Sequence, residues 1–324
     1  MNEKVFIAVC IIAAIAPLFA TYKHFHMLQQ NSYYPSRYVK WLYDAYFMRL
    51  LLLTVIFCAL SLVVKYNIVF SLIIISLYTV AQVFIAFYDR KKSIKRLVIT
   101  ARIKRLYSTA LLVQIALFFA TIYTKGMTRG IFFSVLILLC VFAPLLILIS
   151  WLITYPFEKL ISFYFISDAK RKINSVRGLK VIGVTGSYGK TSTKFILARI
   201  LSEKYNVLAT PQSYNTPMGV VKTIRGSLKA THEIFVCEMG AKWVGDIKEL
   251  CDIVHPQHGV ITSIGPQHLE SFKTLDAVKS TKFELADALP EGGMLFLNGD
   301  DQNIKDYNKN KDAITYSLDG NGDY

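Results

Sequence analysis

The sequence predicts two architectures in one chain: a multi-pass α-helical membrane region followed by an α/β domain with a mostly parallel sheet. Residues 1–160 hold 17 of the 37 Lys+Arg and 4 of the 22 Asp+Glu, which gives them +13 of the formal net charge of +15. Glycine divides the opposite way, with 2 of the 17 in this part. The mean hydropathy of +0.39 excludes one ordinary soluble domain.

Five apolar stretches in the first half come close to the roughly 20 residues that a helix needs to cross a bilayer core. No small-x-small cleavage site follows the first, so we treat it as a span and not as a signal peptide. We therefore predict a membrane region over residues 1–156, with the lipid bilayer as a partner. Its spans are predicted at 5–22, 47–64, 66–88, 107–123 and 131–155.

The orientation of these spans follows from the charges of the loops between them. Segment 89–106 carries eight Lys/Arg and segment 23–49 carries four, whereas the other short loops hold only Lys65, Lys125 and Arg129. Because basic loops stay in the cytoplasm, the amino terminus is expected outside and everything after residue 156 in the cytoplasm. The predicted location is a bacterial-type inner (plasma) membrane, crossed several times.

The predicted spans resemble an anchor and assembly surface more than a transport pathway. Transport pathways usually need charged groups within the membrane, and the central portions of these spans hold no Asp, Glu or Arg. The basic segment 89–106 has two interpretations, a plain topology signal or a surface for anionic lipid headgroups. Because the positive charge lies between apolar runs, we expect no nucleic-acid partner.

From residue 178, short β-branched runs alternate with helical stretches, after a linker predicted at 157–177. This alternation predicts a mostly parallel sheet covered by helices on both faces. Ligands of such folds bind at the carboxyl ends of the strands, so we expect the chemistry there. The predicted strands are 179–186, 207–210, 233–239, 258–264, 294–298 and 313–318, and the helices are 190–204, 217–228, 244–252 and 274–289.

A glycine-rich segment, GVTGSYGKTST at 183–193, lies at the first strand-to-helix turn. Its glycines let the backbone wrap close to phosphates, and the amides at the helix start point toward an anion. The strict pattern G-x-x-x-x-G-K-[ST] fails at one place, where Val184 occupies the first glycine position. We still predict an α/β P-loop domain that binds nucleotide through Thr185, Gly186, Ser187, Tyr188, Gly189, Lys190, Thr191 and Ser192.

The residue types in this loop and at the later strand ends point to a metal–nucleotide site. Lys190 would neutralise phosphate charge, and the Thr191 hydroxyl would hold Mg²⁺. Glu238 ends a strand that is otherwise too apolar for a carboxylate, which a Mg²⁺ ligand would explain. Asn215 opens a helix and would contact nucleotide or metal-bound water, although an N-cap turn needs no function. Asn298 follows a later strand, where an Asn can contact adenine.

These residues resemble the central ATP-binding domain of the Mur ligase family over about residues 175–324. The resemblance implies that a carboxylate takes the γ-phosphoryl group of ATP and that an amine then attacks the acyl phosphate. The implied cofactors are ATP and Mg²⁺, and the implied partners are a lipid- or UDP-linked acyl (carboxylate) substrate and an amino acid or dipeptide acceptor. The matching segments are TGSYGKTSTK, SYNTPMG, EMGAKWVGDI, GVITSIGPQHLESFKTLDAVKSTKFE and LNGDD.

The resemblance also implies a role for individual residues. Lys190 holds the phosphates, while Thr191 and Glu238 bind one Mg²⁺. His268 binds or positions a second cation. Lys282 matches a lysine that many family members carbamylate with CO₂, which would make it a bridging carboxylate. In this interpretation Lys190, His268 and Lys282 are the catalytic residues, and Asn298 faces the adenine.

The sequence departs from the family pattern in two respects, and it leaves two other functions open. Membrane spans stand where the family has its amino-terminal domain, and the chain stops at Tyr324, where the carboxy-terminal domain would begin. We therefore expect residues 178–324 to be an ATP-binding domain in a chain that is incomplete for catalysis. The alternatives to a membrane-anchored ligase are a transport-coupled or regulatory ATPase and a nucleotide-binding scaffold.

Overall fold

The computed structural model describes residues 21–44, 80, 97–123, 142–307, 312–318, 320 and 322–323. The chain divides into two units, Met1–Lys159 and Leu160–Tyr324. A continuous helix, α2 (Ala143–Ser175), contributes residues to both.

The described part of the first unit is helical. It contains α1 (Ala101–Tyr123), the first part of α2 (Ala143–Ser175) and two further helical stretches, 21–30 and 35–44. Glu158 is nearly buried and accepts hydrogen bonds from Nε of Arg105 at 2.6 Å and from its Nη2 at 3.0 Å. This bidentate pair joins α1 to α2.

Among the described residues, α2 alone is long and apolar enough to cross a membrane, judged by its length and composition. The predicted span 107–123 lies inside α1, and the described part of the span 131–155 lies almost wholly in α2. The predicted span 47–64 and nearly all of 5–22 and 66–88 lie outside the described residues. The multi-pass arrangement therefore stays a prediction.

The second unit is built on a six-stranded sheet in which every pair of neighbours is parallel, in the order β2-β3-β1-β4-β5-β6. The central strands are apolar on both faces because helices cover both. The strands are β1 (Lys180–Thr185), β2 (Val207–Ala209), β3 (Ile234–Glu238), β4 (His258–Ile261), β5 (Leu295–Asn298) and β6 (Ile314–Tyr316).

Six helices of this unit follow α2 and lie between the strands. Their bounds are α3 (Lys190–Leu201), α4 (Pro217–Ser227), α5 (Asp246–Val254), α6 (Leu269–Phe272), α7 (Leu275–Asp287) and α8 (Gln302–Tyr307). The core joins apolar side chains of α2, α4, α5, α7 and the strands, including Ile173, Ile224, Leu250, Phe283 and Leu295.

The predicted α/β sheet is confirmed, with all six strands and all four helices found at the expected places. Two short helices, α6 and α8, were not predicted, because segments of four and six residues carry too little hydrophobic periodicity to stand out. The segment 157–177, predicted as a linker, is helical as far as Ser175. The predicted span ends at residue 155, just before Pro156, but the helix continues through this proline into residues that mix apolar and charged side chains.

Helix α7 is held in place from both of its ends. Thr274 caps it, because its side-chain oxygen accepts a hydrogen bond from the Ala277 amide. Nearer its carboxyl end, the Glu284 carboxylate accepts hydrogen bonds from the backbone amides of Gly245, at 2.7 Å, and Lys248, at 2.9 Å. A carboxylate at the start of α5 is favoured there by the helix dipole. These contacts fix the helix that carries Lys282.

Candidate functional site: a P-loop and a buried carboxylate

The centre of the candidate site is the Glu238 carboxylate, at the carboxyl end of β3. Its side chain is 1% exposed. Oε2 accepts a hydrogen bond from the Thr191 hydroxyl at 3.0 Å, and Oε1 accepts one from Nδ2 of Asn215, also at 3.0 Å. The backbone amide of Glu238 donates to Oγ1 of Thr210 at 3.1 Å. The structure thus brings together three residues that the sequence singled out separately.

A fourth side chain, Lys194, also contacts this carboxylate. It is fully buried on α3, and its Nζ lies 2.9 Å from Oε2 of Glu238. It also donates to the backbone oxygen of Gln212. Lysine is almost never fully buried unless it is paired, so the ion pair explains this position.

The glycine-rich loop follows β1 and packs against the loop after β4. Gly186 has a φ of +147°, and a Cβ added to it would lie 2.1 Å from Oγ1 of Thr262, so only glycine fits. Amides of the loop donate to Ser263: Ser187 N to its backbone oxygen at 2.7 Å, and Tyr188 N to its hydroxyl at 3.0 Å. The two loops therefore form one layer over the sheet.

The start of α3 is arranged to receive an anion. Gly189 occupies the N-cap position with a φ of 79°, and no side chain caps the helix. The first amides of a helix have no partner within it and carry the positive end of its dipole. Nζ of Lys190 donates to the backbone oxygens of Gly186, at 2.6 Å, and Ser187, at 3.1 Å. Burial lowers the pKa of Lys190, and the nearby Glu238 opposes that shift.

Lys282 and His268 share the electrostatic surroundings of the loop. Lys282 is 2% exposed, and burial, reinforced by the charge of Lys190, lowers its pKa to about 8. Its side chain donates no hydrogen bond to any described residue. Burial also lowers the pKa of His268, and the charges of Lys242, Lys282 and Lys190 lower it further. The charge of Lys190 therefore acts on both residues, in a region that favours negative ligands.

Asn298 lies further along the same edge of the sheet, at the end of β5. Its Nδ2 donates to the backbone oxygen of Thr262 at 3.0 Å, and its Oδ1 accepts from the Asp300 amide at 2.9 Å. An Asn side chain has two donors and two lone pairs, so one of each is still available to a ligand. Thr262 in turn donates to the Tyr188 backbone oxygen, which links Asn298 to the glycine-rich loop.

The donor set around Glu238 suits a magnesium ion. Mg²⁺ prefers oxygen ligands and is commonly held by one or two protein groups together with substrate phosphates and water. The Thr191 hydroxyl oxygen and Oε2 of Glu238 lie 3.0 Å apart beside the glycine-rich loop, and both are oxygens that can bind a metal. No group of three or more His, Cys, Asp or Glu that could hold a metal by itself occurs within the described ranges.

A separate cleft of about 430 Å³ lies at the opposite, amino-terminal edge of the sheet. It is lined by the first residues of three strands, Lys180, Ile234 and His258, together with Arg177 and Tyr205. None of the predicted site residues lines it. The geometry therefore keeps the candidate site at the carboxyl edge, where parallel α/β sheets bind their ligands.

Sequence reasoning missed four contributors to the site. Lys194 stands four residues after Lys190 on the same helix, a spacing that places both on one face, but nothing in the local sequence indicates its pairing with Glu238. Thr210 and Thr262 gave no local signal, because isolated threonines in loops are common. Gly240 leaves room for Asn215, since a Cβ added there would lie 2.7 Å from that side chain.

The part of the chain that carries these features, from the glycine-rich loop to Asn298, is similar to known proteins. Residues 184–324 match the Mur ligase middle domain. UDP-N-acetylmuramoyl-tripeptide--D-alanyl-D-alanine ligase of Mycobacterium tuberculosis (strain ATCC 25618 / H37Rv) is 39% identical over 124 residues, which is 38% of this chain and 24% of the relative. The ligase of the same name from Bacillus subtilis (strain 168) is 36% identical over 124 residues, again 38% of this chain, and 27% of the relative.

One solved structure of similar fold is the MurF ligase from Thermotoga maritima in complex with ADP. It is 34% identical with a TM-score of 0.47, and the similarity covers 50% of this chain and 38% of that one. The chain spans about a quarter of the length of the two curated relatives named above. The family resemblance expected from the motifs is confirmed for residues 184–324 by their match to the Mur ligase middle domain.

Proposed function

We propose that this protein is a membrane-anchored, ATP-dependent ligase that forms an amide bond in cell-envelope biosynthesis. The observation that carries the proposal is the convergence of Lys190, Thr191 and Glu238 at the carboxyl edge of a Mur-ligase-type sheet. A glycine-rich loop alone is compatible with many nucleotide-binding proteins. A buried carboxylate paired with the loop threonine, in a segment that matches the Mur ligase middle domain, supports an acid–amino acid ligase.

In this proposal the chain's own residues hold the triphosphate of ATP in place. The amides at the start of α3 and the Lys190 ammonium bind the β- and γ-phosphates. Thr191 and Glu238 hold Mg²⁺, with Asn215 fixing the other oxygen of the Glu238 carboxylate and His268 available for a second cation. When bound, the metal neutralises charge that develops on the transferred phosphoryl group. Asn298 contacts the adenine.

The proposed reaction has two chemical steps. A carboxylate oxygen of the acyl substrate attacks the γ-phosphorus of ATP, and ADP leaves, which forms an acyl phosphate. The nitrogen of an amine then attacks the acyl carbon, inorganic phosphate leaves and the nitrogen loses a proton. The names of the relatives suggest a UDP-linked muramoyl peptide and D-alanyl-D-alanine. A lipid-linked carboxylate with an amino acid or dipeptide acceptor also suits a membrane-anchored enzyme.

Lys282 supports a ligase over a plain ATPase, because a buried ammonium beside Lys190 raises the energy of both cations. We propose that its neutral amine adds to CO₂, forming a carbamate and releasing a proton. The product carries a negative charge, so repulsion by Lys190 becomes attraction. A regulatory, transport or scaffold ATPase would give this side chain no comparable role.

The first half of the chain is proposed as the anchor. Five apolar stretches and the eight basic residues of segment 89–106 support a multi-pass region with the amino terminus outside, and α2 is long and apolar enough to supply one span. This topology puts the ATP-binding domain in the cytoplasm, where ATP is available.

Replacing Lys190 by Ala should weaken Mg·ATP binding about tenfold to 100-fold, because a hydrogen bond to a charged group contributes about 1.5–3 kcal/mol. Isothermal titration calorimetry on the full chain measures this change. Lys204→Ala, an exposed lysine just beyond α3, is the matched control and should leave the affinity unchanged. Equal affinities for wild type and Lys190→Ala would show that the loop does not hold phosphates.

Incubation with ¹³C-labelled bicarbonate should give the full chain a carbamate carbon signal in its NMR spectrum. Since only the neutral amine reacts and the pKa of Lys282 is about 8, the signal at a fixed concentration of dissolved CO₂ should fall as the pH drops below 8. Lys282→Met should abolish the signal. Lys279→Met, on the same helix, should keep it. A signal that survives in Lys282→Met would place the carbamate elsewhere, and no signal in wild type would remove the proposal.

Single cysteines at positions 31 and 128, in a chain whose native cysteines are replaced, test the topology. With a membrane-impermeant thiol reagent, Thr128→Cys should react in intact cells and Asn31→Cys only after permeabilisation, because positive loops stay inside. The reverse pattern would invert the chain and move the ATP-binding domain away from cytoplasmic ATP.

A further inference from the structure

Stabilisation of the fold does not by itself explain why Lys194 is buried where it is. It is the one buried residue of α3. Its Nζ donates to Oε2 of Glu238 and to the Gln212 backbone oxygen, and it lies 4.2 Å from the centroid of the Phe195 ring. The ammonium is thus surrounded by a carboxylate, a carbonyl and an aromatic face, all of which favour a positive charge.

The oxygen that Lys194 contacts is also the one that faces Thr191. Both side chains donate to Oε2 of Glu238, at 2.9 and 3.0 Å, while Asn215 donates to Oε1. A cation held between Thr191 and Glu238 would therefore have to share Oε2 with an ammonium that already neutralises it. Lys190, one turn earlier on α3, adds a second positive charge to the same region.

We propose that Lys194 is a built-in counter-ion of Glu238 that makes cation binding at this carboxylate depend on nucleotide. The inference rests on the proposed function, since it concerns the same magnesium site. The charges of Lys194 and Glu238 cancel, so the positive charge of Lys190 is left over and a divalent cation arriving alone meets net repulsion. The phosphates of a nucleotide bring enough negative charge to reverse that balance. The cation then binds together with its nucleotide and does not occupy the site alone.

A purely structural role for Lys194 makes a different prediction. If the ion pair only stabilises the packing of α3 against β3, then removing the charge of Lys194 weakens the fold and leaves the affinity for cations unchanged. If Lys194 opposes free cations, then removing its charge uncovers a carboxylate that a divalent cation can neutralise. A measurement of cation affinity in the absence of nucleotide therefore distinguishes the structural role of Lys194 from the cation-opposing role.

The test uses the full chain, purified in detergent, with Mn²⁺ as the probe and electron paramagnetic resonance to count free Mn²⁺. Lys194→Gln keeps an amide donor for Glu238 and loses the charge. Without nucleotide it should bind Mn²⁺ about tenfold more tightly than wild type, because a positive charge that repels the cation has been removed. Lys204→Gln is the matched control and should behave as wild type. The double variant Lys194→Gln/Glu238→Gln should lose the gain.

A non-hydrolysable ATP analogue supplies the second arm. In wild type the analogue should raise Mn²⁺ affinity strongly, and in Lys194→Gln this enhancement should shrink by about the same factor as the nucleotide-free affinity rises. If Lys194→Gln is unfolded in EDTA, restoration of its thermal transition by Mg²⁺ alone supports the proposal. Failure of Mg²⁺ to restore it overturns the proposal.

The two proposals fail in different ways. Suppose that folded wild type and Lys194→Gln bind Mn²⁺ without nucleotide with affinities within twofold of each other. Lys194 would then have a structural role only, whatever the result with nucleotide. Wild type that binds no Mg·ATP would instead overturn the proposed function. In that case the nucleotide-free comparison still decides whether Lys194 opposes cations.

Discussion

A single buried carboxylate, that of Glu238, sets the requirements that the rest of the site meets. Burying a charge without partners costs several kcal/mol, so the residues around it have to supply donors. Thr191, Lys194 and Asn215 do so from the helix after β1 and from the loop after β2. Because these contacts converge on one side chain, they fix the positions of the glycine-rich loop, α3 and the loop after β2 relative to one another.

The parallel sheet makes this convergence possible. Val184 of β1 lies beside Glu238 of β3 in register, so the glycine-rich loop leaves the sheet next to the carboxylate. The loop after β4 lies on the other side of β1, and its Ser263 receives the loop amides of Ser187 and Tyr188. Each strand end thus contributes one group to a site that no single segment contains, as is usual for parallel α/β folds.

Much of this arrangement could be predicted from the sequence, because its signals are local. Apolar runs marked the strands, and a charged Glu238 in an apolar strand indicated a ligand. Lys194 could not be assigned without the fold, since a lysine on an amphipathic helix is ordinarily exposed and only the path of β3 buries it. The continuity of α2 past Pro156 also escaped prediction, because a proline ordinarily kinks or ends a helix.

The central claim is that Thr191 and Glu238 form a magnesium site that works with nucleotide, and the magnesium dependence of ATP affinity tests it most directly. Calorimetry on wild type should show ATP binding at least about tenfold tighter with Mg²⁺ than with EDTA. Thr191→Val, which keeps the shape and removes the hydroxyl, should lose most of that difference, whereas Thr193→Val on the same helix should retain it. An undiminished effect of Mg²⁺ in Thr191→Val would contradict the account.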